Sequence, residues 1–110
     1  MSTRLPAVKE KLTKIKSLLG MKGNEGYANS LQIRLAKVTN IVTENESTIW
    51  LRTKIGEPML KDLQEALDDA IKSLENEGST LKSFEEKLKE VERKATRIDE
   101  ESRRRNMVVT

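Results

Sequence analysis

The side chains able to do chemistry in this chain are carboxylates and cations, and their company is poor. Asp68-Asp69 and Glu85-Glu86 are adjacent acidic pairs of the kind that general acid–base work uses. Neither has a histidine to share a proton with, because the sequence holds no His and no Cys. Zinc sites, disulfides, thiol nucleophiles and the usual general base are therefore absent from the chemistry open to these residues. The glycine-rich run Gly20-Met21-Lys22-Gly23-Asn24-Glu25-Gly26 is no phosphate cradle, since no strand precedes it. We expect no enzyme, no cofactor, no metal and no small-molecule substrate. The cations are more suggestive. Lys9, Lys11, Lys14, Lys16 and Lys22 crowd the first helix and its loop, and Arg103, Arg104 and Arg105 form a second cluster. Such a patch suits an acidic protein or a nucleic-acid backbone. Aromatic platforms for single strands are missing, with one each of Phe, Trp and Tyr.

The elements that must position these groups are helices. Leu60, Leu67, Leu74, Leu81 and Leu88 recur every seven residues, and Ala95 continues the series. Leu63, Ala70, Glu77, Phe84, Val91 and Ile98 form a second set. This is the a/d pattern of a coiled coil. Leu5, Val8, Leu12, Ile15 and Leu19 mark an earlier amphipathic helix opened by Pro6. Leu31, Leu35, Val38, Val42 and Ile49 mark another, with Ile33, Ile41, Trp50 and Leu51 flanking; Asn45 at a seam position either fixes register or faces solvent at the bundle edge. Ile55-Gly56 closes that helix and Pro58 opens the next. Only 35% of the 110 residues are hydrophobic and another 35% are charged. Narrow stripes between helices suit that composition better than a thick core.

The expected fold is all-α: a single helical domain over residues 1–102, followed by a basic, frayed tail at 103–110. It is an antiparallel bundle of three helices, at about 4–19, 27–55 and 58–102, whose long last helix forms a coiled coil. The heptad frame is the same before and after Gly78, which favours a continuous helix there. Glycine inside a helix costs about 1 kcal/mol, which a long helix absorbs. Gly78-Ser79 also suits a cap-to-cap turn, so a four-helix bundle hinged at Gly78 is the alternative. Glu77 leaves a weak layer beside it.

After Gly78 the flanking charges favour a parallel homodimer. Lys87 faces Glu92 and Lys94 faces Asp99 between chains, around a seam of Leu81, Phe84, Leu88, Val91 and Ile98. Against this stands packing of the same stripe inside one chain. Residues 1–56 carry ten Lys and Arg against four Asp and Glu, and residues 57–110 carry eleven against fourteen, giving halves of net +6 and −3. The two halves attract each other, or the first attracts something acidic. No apolar run reaches the roughly 20 residues of a membrane span, and no signal-peptide core opens the chain, so a soluble intracellular protein with no membrane contact is expected.

Two resemblances accompany this reading. Arg4-Leu5, Lys11-Leu12-Thr13-Lys14 through Leu18-Leu19, and Leu31-Gln32-Ile33-Arg34-Leu35 with Val38 resemble the N-terminal helical segment of gag polyproteins of BEL/Pao-type retrotransposons. The similarity spans about 50 residues and implies an assembly module of a capsid-forming polyprotein, here without a zinc knuckle. Glu25-Gly26-Tyr27 and the helix opening at Pro58 look like features of tubulin-binding cofactor A, a helical chaperone. The middle helix is shorter than in that family, and the charges of residues 80–100 depart from it. Three functions follow: a self-assembling coiled-coil scaffold with a gag-like role; a monomeric bundle serving as chaperone or adaptor for an acidic partner; and a nucleic-acid-associated basic module.

Overall fold

The computed structural model describes residues 4–21, 25–46, 48, 50–76, 78 and 80–109. It is all-helical among them: α1 (Arg4–Met21), α2 (Glu25–Asn45), a 3-10 turn at Trp50–Arg52, α3 (Gly56–Glu75) and α4 (Leu81–Val109). The four-helix alternative hinged at Gly78 is therefore the observed one, and the continuous helix over 58–102 is corrected. Asn76 leaves the helical region with φ −76° and ψ 118°. Its side-chain oxygen accepts the Gly78 N–H at 3.1 Å. Thr80 then caps α4, its hydroxyl and carbonyl both accepting from Ser83 N–H, at 3.2 and 3.1 Å. The physical reason for the fold-back is cover. A straight helix would leave the stripe from Phe84 to Ile98 exposed within one chain, whereas the hairpin buries both halves of the seam in one core. Glu77 and Ser79 lie outside the described residues.

The second helix also ends earlier than the expected residue 55. Asn45 is buried and turns back to donate to Ile41 O at 2.8 Å. The Thr48 N–H and hydroxyl both close onto Asn45 O. Asn45 thus terminates α2 rather than setting a register inside it; Ile49 lies outside the described residues. At this end of the bundle the core is completed by Leu51, fully buried on the 3-10 turn. The expected frayed tail is helical through Val109.

Ion pairs reveal how the helices run. Arg4 meets Glu57 and Lys14 meets Glu75, so α1 and α3 are parallel neighbours. Tyr27 meets Glu85 and Arg34, seven residues on, reaches Glu92, so α2 and α4 are parallel neighbours as well. Within each hairpin the helices are antiparallel: Gln32 of α2 donates to Lys16 O of α1, and Ser73 of α3 donates to Ser83 of α4. The chain is thus two helical hairpins laid side by side, with 50–55 at one end of the bundle. The core runs along the axis through Leu5, Val8, Leu12, Ile15 and Leu19 of α1, Leu31, Leu35, Val38 and Val42 of α2, Leu60, Leu63, Leu67 and Leu74 of α3, and Phe84, Leu88, Val91 and Ile98 of α4. At about 1.5 Å per residue α4 is roughly 44 Å long, which accounts for the 47 Å long axis.

Candidate interaction surface

The cations that drew attention in the sequence are largely engaged within the chain. Lys11 Nζ meets Asp68 Oδ1 at 2.5 Å, Lys14 meets Glu75 at 3.2 Å and Lys9 meets Glu46 at 2.6 Å. Arg103 reaches Asp99 at 3.3 Å. Arg105 lies 3.1 Å from Glu101, with its guanidinium 5.4 Å from the centroid of the Trp50 ring. Among the described residues Lys16 and Arg104 are the members of the two clusters that carry no ion pair. Lys22 lies outside them. The first helix therefore presents not an open basic patch but one side of a charged seam.

The expected dimer seam is likewise in use. Phe84, Leu88, Val91 and Ile98 are fully buried among the other helices, and Leu81 is half-buried against the same core. The charges assigned to the dimer edge face the chain's own residues. Glu92 holds Arg34 through two hydrogen bonds, at 2.6 and 3.0 Å. Lys94 lies 3.9 Å from Asp62 and 3.7 Å from Glu90, and Asp99 takes Arg103. Lys87 alone of the four stays exposed, beside a 300 Å³ cleft shared with Asp69, Lys72, Ser73, Asn76 and Ser83. A parallel dimer through this seam would require the bundle to open first.

Three of the four paired carboxylates, Asp68, Glu85 and Glu86, are engaged within the chain as well. Asp68 holds Lys11, and Glu86 lies 3.5 Å from Lys89. Glu85 accepts from Tyr27 Oη at 2.5 Å and from Arg34 at 2.8 Å. The Tyr27 hydrogen bond, then Arg34, hold the Glu85 carboxyl below the usual carboxylate range against an opposing effect of burial. The same hydrogen bond raises the Tyr27 hydroxyl. A groove of 680 Å³ between α1 and α3 is floored by the Lys11–Asp68 pair and lined also by Ala7, Thr13, Gln64 and Ile71. Among the described residues no group of three or more Asp and Glu is placed to hold a metal ion. No helix among them is long and apolar enough to cross a membrane.

One surface differs in kind. Asn29, Ile33, Ala36 and Asn40 are all exposed on α2, at steps of four, three and four. That spacing puts them on one helical stripe, opposite the buried Leu31, Leu35 and Val38. Ile33 is 62% exposed, although a buried Ile is the norm. Across residues 26–44 the ten exposed positions carry two charges, Lys37 and Glu44. Across residues 82–97 of α4, six of the eight exposed positions are charged. In the sequence Ile33 reads only as a flank of the α2 core. The signal that would have found this face is negative: a run of outward positions without charge, visible only once the inward phase of α2 is assigned. Compared with known proteins, the chain matches no family model, no curated protein and no solved structure.

Proposed function

We propose that the chain is a non-enzymatic helical-bundle module that binds a protein partner on the outer face of α2. The observation that carries this is the Asn29–Ile33–Ala36–Asn40 stripe, a low-charge helical face set against the densely charged outer face of α4. Ile33 supplies the apolar anchor at the centre, and the small Ala36 beside it lets a partner helix approach closely. Asn29 and Asn40, one turn or two to either side, offer neutral amides that can exchange hydrogen bonds with a partner without the cost of desolvating a charge. The partner is a helix with an apolar stripe of its own. An acidic residue at its edge would meet Lys37, which keeps part of the acidic-partner idea while moving it off α1.

The test places a photo-reactive amino acid at position 29, in place of Asn29, in cells and compares it with the same group at position 61, in place of Lys61 on α3. A discrete adduct from position 29 is expected. It disappears when Ile33→Asp is added, with the melting temperature of the bundle unchanged. Adducts of equal intensity from position 61, or an adduct that survives Ile33→Asp, would overturn the assignment.

A further inference from the structure

We infer that the turn marked by Asn76, Gly78 and Thr80 is a hinge through which the chain exchanges its last helix with a second copy of itself. In that dimer α3 and α4 join into one straight helix, and two such helices cross antiparallel about Gly78. Three observations lead there. First, the contacts between α3 and α4 are symmetric about residue 78. Ser73 and Ser83, 3.4 Å apart, lie five residues to either side of it, and Asp62 and Lys94, 3.9 Å apart, lie sixteen. A two-fold axis through residue 78 forms the same pairs between chains, so the exchanged dimer needs no new contact along this interface.

Second, the buried series does not change phase at the turn. Leu60, Leu67 and Leu74 precede it, and Leu88 and Ala95 follow at the same seven-residue interval, with half-buried Leu81 between. Leu63 and Ala70 are followed in the same way by Phe84, Val91 and Ile98. Straightening the turn therefore keeps every apolar residue on one stripe. A hairpin whose halves were out of phase would twist one half of the core to the outside.

Third, the closed form makes no steric demand for glycine at 78. Its φ lies outside the left-handed region, and a Cβ added there would meet nothing nearer than Asn76 Oδ1 at 3.8 Å. The effect of glycine is instead on the open form, because it disfavours a continuous helix by about 1 kcal/mol in each chain. Together with the Asn76–Gly78 hydrogen bond it holds the wild-type chain closed. The exchange does not use the exposed face of α2, so Ile33→Asp leaves it unchanged and separates it from partner binding.

The full chain carrying Gly78→Ala tests the hinge. Removing the glycine from two helices tightens dimerisation by roughly 30-fold relative to wild type, read by sedimentation equilibrium. The connectivity is read by adding Ser73→Cys and Ser83→Cys to the otherwise cysteine-free chain. Oxidation of the isolated dimer yields chains linked to each other on a denaturing gel, while oxidation of the monomer yields only internally closed chains. A Gly78→Ala protein that dimerises no more tightly than wild type would overturn the hinge. So would a dimer whose oxidised chains all run as monomers.

Discussion

At the scale of single residues, two positions fix local geometry for different reasons. Gly56 opens α3 with its backbone pressed against Leu51, and a Cβ there would fall inside the van der Waals radii of Leu51 Cα, C and O. Backbone cannot yield as a flexible side chain does. Gly56→Ala should therefore cost about 3 kcal/mol and move both the 3-10 turn and the start of α3; a thermal melt within a degree of wild type would refute this. Gly78→Ala has no such neighbour and, melted at a concentration where the chain is monomeric, is the steric control. The second position is Glu85. A carboxylate whose pKa is lowered on folding lends stability above its unfolded value of about 4.3 and loses it as pH falls through the lower folded value. Wild type should thus exceed Glu85→Gln in urea stability at pH 6, and the gap should narrow towards pH 3. Because the Tyr27 hydroxyl is the largest cause of the lowering, Tyr27→Phe should raise the Glu85 pKa in an NMR titration. A pKa that stays put would assign the effect to Arg34 alone.

At the scale of elements, phase and turn carry different information. The α1 stripe from Leu5 to Leu19 and the α2 stripe from Leu31 to Val42 were legible because each apolar residue found a core inside its own chain. The two stripes of α3 and α4 were equally legible, but phase favoured a continuous helix over the turn that Gly78-Ser79 also suited. Heptad phase reports which side of a helix is apolar and is silent on whether the chain folds back, and here Asn76 and Thr80 make the turn without disturbing phase. The end of α2 was obscured because Asn45 looked like a seam residue, whereas its side chain closes the helix. The outer face of α2 was illegible because alanine and asparagine announce nothing until the inward side is known. Charge on α1 was legible in sign but not in address. Lys11 and Lys14 face Asp68 and Glu75 on α3, so reversing both to Glu should lower stability rather than only remove a binding patch. Partly exposed pairs contribute about 0.2–1 kcal/mol each, and repulsion replaces attraction. The double variant should therefore lose about 1–2 kcal/mol in urea melts at low salt, and less at high salt, where screening shortens the reach of charge to a few ångströms. An unchanged melt would mean that these lysines are free for a partner after all.

At the scale of the whole molecule, the net +6 of the first half and −3 of the second have a structural outlet. The ion pairs that join the two hairpins take the cation from the first and the carboxylate from the second: Arg4 to Glu57, Lys11 to Asp68, Lys14 to Glu75, and Arg34 to Glu85 and Glu92. This arrangement matters because the hairpins dock with parallel neighbours, which sets like ends of the helix dipoles side by side. Cross-hairpin ion pairs offset that repulsion and select this docking over one turned end for end, in which the same apolar stripes would meet but Lys14 would no longer face Glu75. Burial supplies most of the free energy and charge chooses the orientation. Cutting the chain between the two hairpins separates the two contributions. Peptides 1–49 and 50–110 each keep one hairpin but expose its apolar side, so each alone should be weakly helical by circular dichroism. Mixed at equal concentration they should recover the helicity of the intact chain, with Trp50 fluorescence reporting the return of the bundle end. Their affinity should fall as salt rises, because the docking pairs sit at the rim. An affinity indifferent to salt would show that apolar stripes alone set the orientation, and the charge asymmetry of the halves would then have no part in the fold.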